Sequence, residues 1–264
     1  MTRYLNGKLA EIENSETLTV VGDLHGDLGS FNKILKNWNG KKNNYIIFLG
    51  DYADRGENGL EIIEKLEELK DKENVVLLKG NHEDYDEYGN PLFSPCTLIS
   101  EVEHKRGYWN SYFSKKLKPF FNSLHIAAIA EKNMLFLHGG ISSKIRSLDD
   151  LRQPSREVEM DVIWSDPNPF EKGEHPNRRG GGLIEFGEDI TEKTLKYLNA
   201  SLIIRSHQPN LAASGPYFVH RDRVVTISST TVYGGKPHYL EIPSSKIGEI
   251  ARSPIEIKKY AKIL

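Results

Sequence analysis

The chain has 264 residues, 27% of them charged, with a formal net charge of −2, so no strong field draws it to nucleic acid or to an anionic membrane. Its single cysteine, Cys96, excludes an internal disulfide and suits a reducing compartment. The N-terminal residues lack an apolar core and no apolar run approaches membrane-spanning length, so the expectation is a cytoplasmic protein with no membrane and no nucleic-acid partner.

Residues 1–16 read as a lead-in of low apolar content, with helix as the expected form. An alternation of strand and helix follows. Apolar runs at Thr17–Val21, Tyr45–Leu49 and Val75–Leu78 are short, continuous and end at glycine or lysine-glycine, the pattern of strands buried on both faces. Between them, apolar residues at helical spacing predict helices from about Ser30 to Trp38 and from Leu60 to Lys70. This βαβαβ unit predicts parallel pairing with right-handed crossovers. Residues 84–95 are acidic and turn-rich, and 97–123 are aromatic and helical in pattern. Together, about 84–123 read as an inserted, mostly helical wall to the site. From Ile126 closely spaced strands return (IAAIA, MLFLHGG, SLIIRSHQ, YFVH, VVTIS, HYLEI). They are interrupted by a Gly- and Pro-rich loop region at 166–187 and a helix near Thr191–Leu198. A second sheet packed on the first is expected. Residues 244–264 form a tail with a basic amphipathic end, read as a helix docked on the body. The whole is read as one catalytic domain, residues 1–264.

The stretch YIIFLGDYADRG (Tyr45–Gly56) organises the functional reading. It sets Asp51 at the carboxyl edge of the sheet, where open α/β folds bind ligands. Flanking strand ends deliver Asp23 and His25 from one side, and Asn81 and His82 from the other. His138 and His207 follow later strands. Singly, each has an ordinary explanation: Asp and Asn after a strand are turn formers, and a lone histidine is commonly solvated. Seven such groups in the same strand-then-loop setting make a metal-competent set instead. Carboxylate, amide and imidazole donors suit manganese, iron or zinc, and the absence of thiolates argues against a structural zinc site. Asp51 is placed to bridge two divalent ions, which at a spacing of about 3.5–4 Å can share a hydroxide and clamp an in-line displacement at phosphorus. His82 is then free to protonate the leaving oxygen, oriented by Asp54.

The motifs GDLHGD (Gly22–Asp27), GDYADRG (Gly50–Gly56), GNHE (Gly80–Glu83), WSDP (Trp164–Pro167), RGGGLIEFG (Arg179–Gly187), HGG (His138–Gly140) and RSH (Arg205–His207) resemble those of the phosphoprotein phosphatase (PPP) family of Ser/Thr phosphatases. That family lies within the calcineurin-like metallophosphoesterases. The resemblance covers roughly residues 17–240 and implies a compact prokaryotic or archaeal-like member. It implies an α/β fold of two mixed β-sheets packed as a sandwich and flanked by helices. It also implies two divalent metal ions and hydrolysis of phosphoserine and phosphothreonine monoesters in proteins. Carried over by residue, Asp23 and His25 resemble ligands of the first metal and Asp51 the bridging carboxylate. Asn81, His138 and His207 resemble ligands of the second metal. His82 is similar to the proton donor and Asp54 to its partner. Arg55 and Arg179 resemble the phosphate-binding arginines, Tyr233 a phosphate-contacting tyrosine, and Arg205 a further substrate contact. The family's SAPNY loop reads here Ser229-Thr230-Thr231-Val232-Tyr233, and Gly234 stands where some members carry cysteine. Three alternatives stay open: a hydrolase of dinucleoside polyphosphates or other phosphoanhydrides, a nuclease, and an inactive phosphatase-like binding protein. The phosphoprotein substrate and any regulatory subunit are not named by the sequence.

Overall fold

The computed structural model describes residues 2–264, with side chains from residue 7 onward. The chain opens not with a helix but with two strands, β1 (Thr2–Asn6) and β2 (Leu9–Glu13), paired antiparallel across a turn at Gly7. Alternation in LAEIE buries Leu9, Ala10 and Ile12, and this period of two overrides any helical bias in the lead-in. There follow β3 (Thr17–Val21), α1 (Leu28–Asn37), β4 (Asn44–Phe48), α2 (Gly59–Leu69) and β5 (Val75–Leu77). As the sequence predicts, β3, β4 and β5 pair in parallel. Continuous burial of β4 has a simple cause. Ile46 and Phe48 pack into the core beneath the helices, whereas Tyr45 and Ile47 pack into a different core on the opposite face.

The aromatic stretch folds into α3 (Leu98–Arg106), α4 (Trp109–Tyr112), a π-helical turn at Phe113–Leu117 and α5 (Lys118–Ser123). Its apolar residues, among them Trp109, Phe113 and Phe120, join α1 and α2 in covering the outer face of the β3–β4–β5 sheet. The helical half of the expected wall is thus a packing layer. Next come β6 (Ala127–Ala130), β7 (Met134–Leu137), α6 (Asp149–Arg152) and α7 (Arg156–Trp164). Where the sequence suggests only loop at 166–187, β8 (Asp166–Pro167), β9 (Glu174–Pro176) and β10 (Ile184–Phe186) form a small third sheet. Strands of two or three residues are too short to show an alternation. The chain ends with α8 (Glu188–Leu198), β11 (Leu202–Arg205), β12 (Tyr217–Val219), β13 (Val224–Thr226), β14 (His238–Pro243), α9 (Ile247–Arg252) and β15 (Ala261–Ile263). The tail is therefore a short helix, a 3-10 segment (Pro254–Tyr260) and an edge strand, rather than one docked helix.

Two mixed sheets result, of strand order β1-β2-β6-β7-β11-β13-β12 and β15-β14-β3-β4-β5. The last long strand, β14, does not extend the second-half sheet. It crosses back to pair antiparallel with β3. One core lies between the sheets, built from Ile12, Val20, Ile47, Phe136, Ile204, Val225 and Leu240, and the helices α6, α7 and α8 cover the far face of the seven-stranded sheet. This four-layer α/β sandwich places the carboxyl ends of β3, β4 and β5 opposite those of β7 and β11.

Candidate active site

Five strand ends supply the site. Asp23 and His25 follow β3, Asp51 and Asp54 follow β4, and Asn81 and His82 lie in the 3-10 turn after β5. From the facing sheet, His138 directly follows β7 and His207 lies two residues past β11. All eight side chains are buried, none more than 6% exposed. The backbone is bent hard to bring them inward: His25, Asp51, Asp54, Arg55 and His207 hold φ between 45° and 73°. Non-glycine residues adopt that region at a cost, and such strain concentrates at functional sites. Close approach of the loops also demands glycine. Gly26, at φ +72°, would set a Cβ only 2.8 Å from the Gly56 carbonyl carbon, so the loops carrying His25 and Asp54 touch backbone to backbone.

Asp51 is the centre. One carboxylate oxygen, Oδ2, lies 3.4 Å from His25 Nε2; the other, Oδ1, lies 3.4 Å from His138 Nε2. The ligand-type atoms fall into two groups that share this residue, His25–Asp51–His82 and Asp51–His138–His207, with the atoms of each within 4.8 Å of one another. Backbone carbonyls assign the tautomers. His25 Nδ1 faces Ala53 O at 3.0 Å, and His138 Nδ1 faces Leu49 O at 3.0 Å, so each donates there and turns a lone pair at Nε2 toward Asp51. His138 Nε2 then meets Asn81 Oδ1 at 3.0 Å and His207 Nδ1 at 3.1 Å as well. Asp23 takes Ser206 Oγ (2.5 Å) and His207 N (3.1 Å) on Oδ1, while its Oδ2 is buried with no hydrogen-bond partner. Asp23 lies outside both groups, but its orphaned carboxylate oxygen, with the lone pairs that converge on Asp51, makes an arrangement that divalent cations satisfy and protein donors do not. The residues fit the implied metal ions.

His82 is held differently. Its Nδ1 donates to Asp54 Oδ2 at 2.8 Å, and Asp54 Oδ1 is itself held by the backbone N–H groups of Thr97 and Leu98 at 2.5 and 2.8 Å. Burial opposes the charge of His82, yet Asp51 and Asp54 outweigh it and raise its pKa. Glu83 accepts from the backbone N–H groups of Asp51, Tyr52 and Gly80, each at 2.9 Å. Burial, with the Asp51 charge, pushes it up to about 7.

Above this floor opens a cavity of about 800 Å³, lined among others by Arg55, His82, Trp164, Arg179, His207 and Tyr233. Arg55 and Arg179 both reach its wall, Arg179 tied to Asp166 Oδ2 (3.3 Å) and to His207 Nε2 (2.5 Å). From the stretch read as a wall, Leu92 and Ser94 line the cavity. Arg205 departs from the sequence reading. It is wholly buried, and its guanidinium donates to Gly139 O, to Gln208 Oε1 (2.6 Å) and to Asp166 Oδ1 (3.1 Å). Burial lowers its pKa to about 10, so it stays charged, but its donors brace the floor and it does not line the cavity. Asp166, Ser206 and Glu83, which hold the arginines, Asp23 and Asp51, are missed as site residues. The signal for them was their place inside WSDP, RSH and GNHE.

The profile of the calcineurin-like phosphoesterases matches residues 17–211. The chain belongs to that family. Among its relatives, the Ser/Thr-protein phosphatase 6 catalytic subunit of Caenorhabditis elegans is 31% identical over 228 residues, covering 83% of this chain and 66% of that protein. Ser/Thr-protein phosphatase BSL2 of Arabidopsis thaliana is 32% identical over 237 residues, covering 83% of this chain. The chain thus spans just under two thirds of the first relative and 23% of the second. A Saccharomyces cerevisiae protein Ser/Thr phosphatase, described as similar to human PP5, superposes with a TM-score of 0.73 at 25% identity, over 91% of this chain and 78% of that one. A cold-active protein-tyrosine phosphatase of a psychrophilic Shewanella shares the fold, with a TM-score of 0.58 at 14% identity over 89% of this chain and 77% of that one. Among the described residues, no helix of this family member is long and apolar enough to cross a membrane.

Proposed function

We propose that the chain is a metal-dependent phosphatase acting on phosphoserine and phosphothreonine in proteins. The observation that carries this reading is Asp51, whose two oxygens face two separate histidine groups at the floor of a cavity walled by Arg55 and Arg179. The relatives that are Ser/Thr phosphatases support the substrate class. Asp23, His25 and Asp51 would hold one divalent ion, and Asp51, Asn81, His138 and His207 a second, with manganese, iron or zinc suited to such donors. When bound, such ions polarise a phosphoryl oxygen and offset its charge. The protein's own groups do the rest. Arg55 and Arg179 grip terminal phosphate oxygens through guanidinium forks, and Tyr233, which lines the same cavity, adds a hydroxyl. His82, oriented by Asp54 and with its pKa raised by Asp51 and Asp54, delivers a proton to the leaving serine or threonine oxygen. A reducing cytoplasm is the compartment proposed, on the single cysteine.

The test is turnover of phosphoserine, phosphothreonine and phosphotyrosine peptides and of a diadenosine polyphosphate by manganese-loaded protein. Preferential release of phosphate from the first two supports the reading. Faster turnover of phosphotyrosine or of the anhydride replaces it with another phosphoesterase activity, and no turnover with normal metal content leaves a binding module.

A further inference from the structure

We propose that Asp27 is a positioning residue for the substrate pocket, holding through Thr231 the turn that presents Tyr233 over the metal cluster. The proposal rests on the phosphatase reading, because it takes Tyr233 as a substrate contact. Asp27 lies two residues past His25, and its first role is local: Oδ1 accepts from Ser30 N at 2.9 Å and caps α1. A cap needs little more than that one bond, and a neutral oxygen supplies it. Asp27 does more. Its Oδ2 accepts from Ser30 Oγ (2.8 Å), from Thr231 N (2.8 Å) and from Thr231 Oγ1 (2.6 Å), a residue 204 positions away in the chain. A carboxylate with four donors is a charge-assisted clamp between two loops.

What it clamps is the base of a closed turn. Gly234 N donates to Thr231 O at 2.8 Å, with Gly234 at φ +74°, so Val232 and Tyr233 form the tip. The Tyr233 ring stands 5.4 Å from the His25 ring, at 61°, and shares the cavity wall with Arg55 and Arg179. Upstream the same loop is fixed by neutral bonds: Ser229 Oγ accepts from Gly22 N (2.9 Å), and Ser229 N donates to Asp23 O (3.2 Å). The segment Gly22–Asp27 therefore registers two metal-facing side chains and the tyrosine turn at once. Past Thr231, Val232 is exposed, Tyr233 is half-buried and a Cβ on Gly234 would meet nothing within 4 Å. The other bonds on the turn, Val232 N to Thr230 Oγ1 (3.1 Å) and Lys236 N to Ala213 O (2.7 Å), are neutral, so Asp27 supplies the charged anchor at its base.

The experiment uses the full chain loaded with manganese and the variants Asp27→Ala, Asp27→Asn and Thr231→Val, each also combined with Tyr233→Phe. Ser30→Ala is the control, since it weakens the helix side of Asp27 and leaves Thr231 in place. Two readouts are taken: amide hydrogen exchange across 229–236, and kcat and KM on a phosphoserine peptide. Asp27→Ala is expected to speed exchange in 229–236 and to raise KM about tenfold, the scale of one lost charge-assisted hydrogen bond. Thr231→Val, which keeps the backbone bond, should do so less, and Ser30→Ala should leave KM unchanged. In the Tyr233→Phe background the effect of Asp27→Ala on KM should disappear, because the hydroxyl it positions is already gone. Equal KM losses in both backgrounds would show that Asp27 acts only through α1. Unchanged exchange at 229–236 overturns the clamp directly. If Tyr233→Phe is itself silent while His138→Ala abolishes turnover, the phosphatase reading stands and this proposal fails. If the wild type hydrolyses no phosphomonoester, the functional reading fails and the proposal with it.

Discussion

Asp51 shows how much one residue concentrates here. Its positive φ turns the side chain inward, Glu83 pins its backbone N–H, and each of its oxygens addresses a different histidine. Asp51→Asn keeps the shape, removes the negative charge and puts an NH2 donor in place of one oxygen. Metal content by elemental analysis is expected to fall and turnover to be nearly lost, with the thermal midpoint of the metal-free protein little changed. Normal occupancy with normal rate would sink the shared-ligand role. His82 tests a different property. A proton donor matters most when the leaving group is a poor one, so His82→Asn should slow a phosphoserine peptide by roughly 10²–10⁴-fold and nitrophenyl phosphate far less. Equal losses on both substrates would instead make His82 a metal ligand of the His25–Asp51 group, which its position also permits. At this scale the sequence was legible wherever a polar residue ended an apolar run. It misled at Arg205, because a guanidinium beside a ligand reads alike whether it faces the cavity or lies beneath it.

Between elements, buried histidines report on acid stability. His220 joins the small sheet, at the residue after β8, to α8: Nε2 donates to Asn168 O at 2.9 Å and Nδ1 accepts from Thr191 Oγ1 at 2.7 Å. Burial lowers its pKa below the ordinary 6.5. The folded state therefore binds fewer protons than the unfolded chain as pH falls through 6.5. Its contribution to stability is full above that pH and is lost on descending toward the folded value. His220→Gln should lower the unfolding midpoint at pH 8 by an amount set by the lost bonds, about 1–3 kcal/mol. It should also flatten the wild type's decline between pH 6.5 and the lower folded value, read as the difference between the two proteins in denaturant melts. A wild type and variant whose midpoints run parallel in pH would refute the linkage. The segments that His220 ties together were the least legible. β8, β9 and β10 hold two or three residues each and take their form from pairing with one another, which no local pattern encodes.

For the molecule as a whole, the two sheets must meet for any site to exist, since Asp51 comes from one and His138 and His207 from the other. The inter-sheet core then sets stability without touching chemistry. Ile12, on β2 and ahead of the family match at residue 17, is buried in that core. Ile12→Ala is expected to cost about 2–5 kcal/mol, read by denaturant melts, while kcat on nitrophenyl phosphate at 20 °C below the new midpoint stays within about twofold. A cost under about 0.5 kcal/mol would show that β1 and β2 are an appendage and not part of the sandwich. By itself the sequence determined the βαβαβ unit, the strand ends that carry the candidate ligands and the family, because burial on both faces leaves continuous apolar runs and a metal site needs fixed residue types beside them. Only the tertiary structure decided that β14 crosses back to β3, that 97–123 is chiefly a packing layer, and that Arg205 lies under the floor. Those outcomes depend on which surface meets which across the chain, and burial of an arginine or pairing of a strand edge leaves no trace in the residues on either side of it.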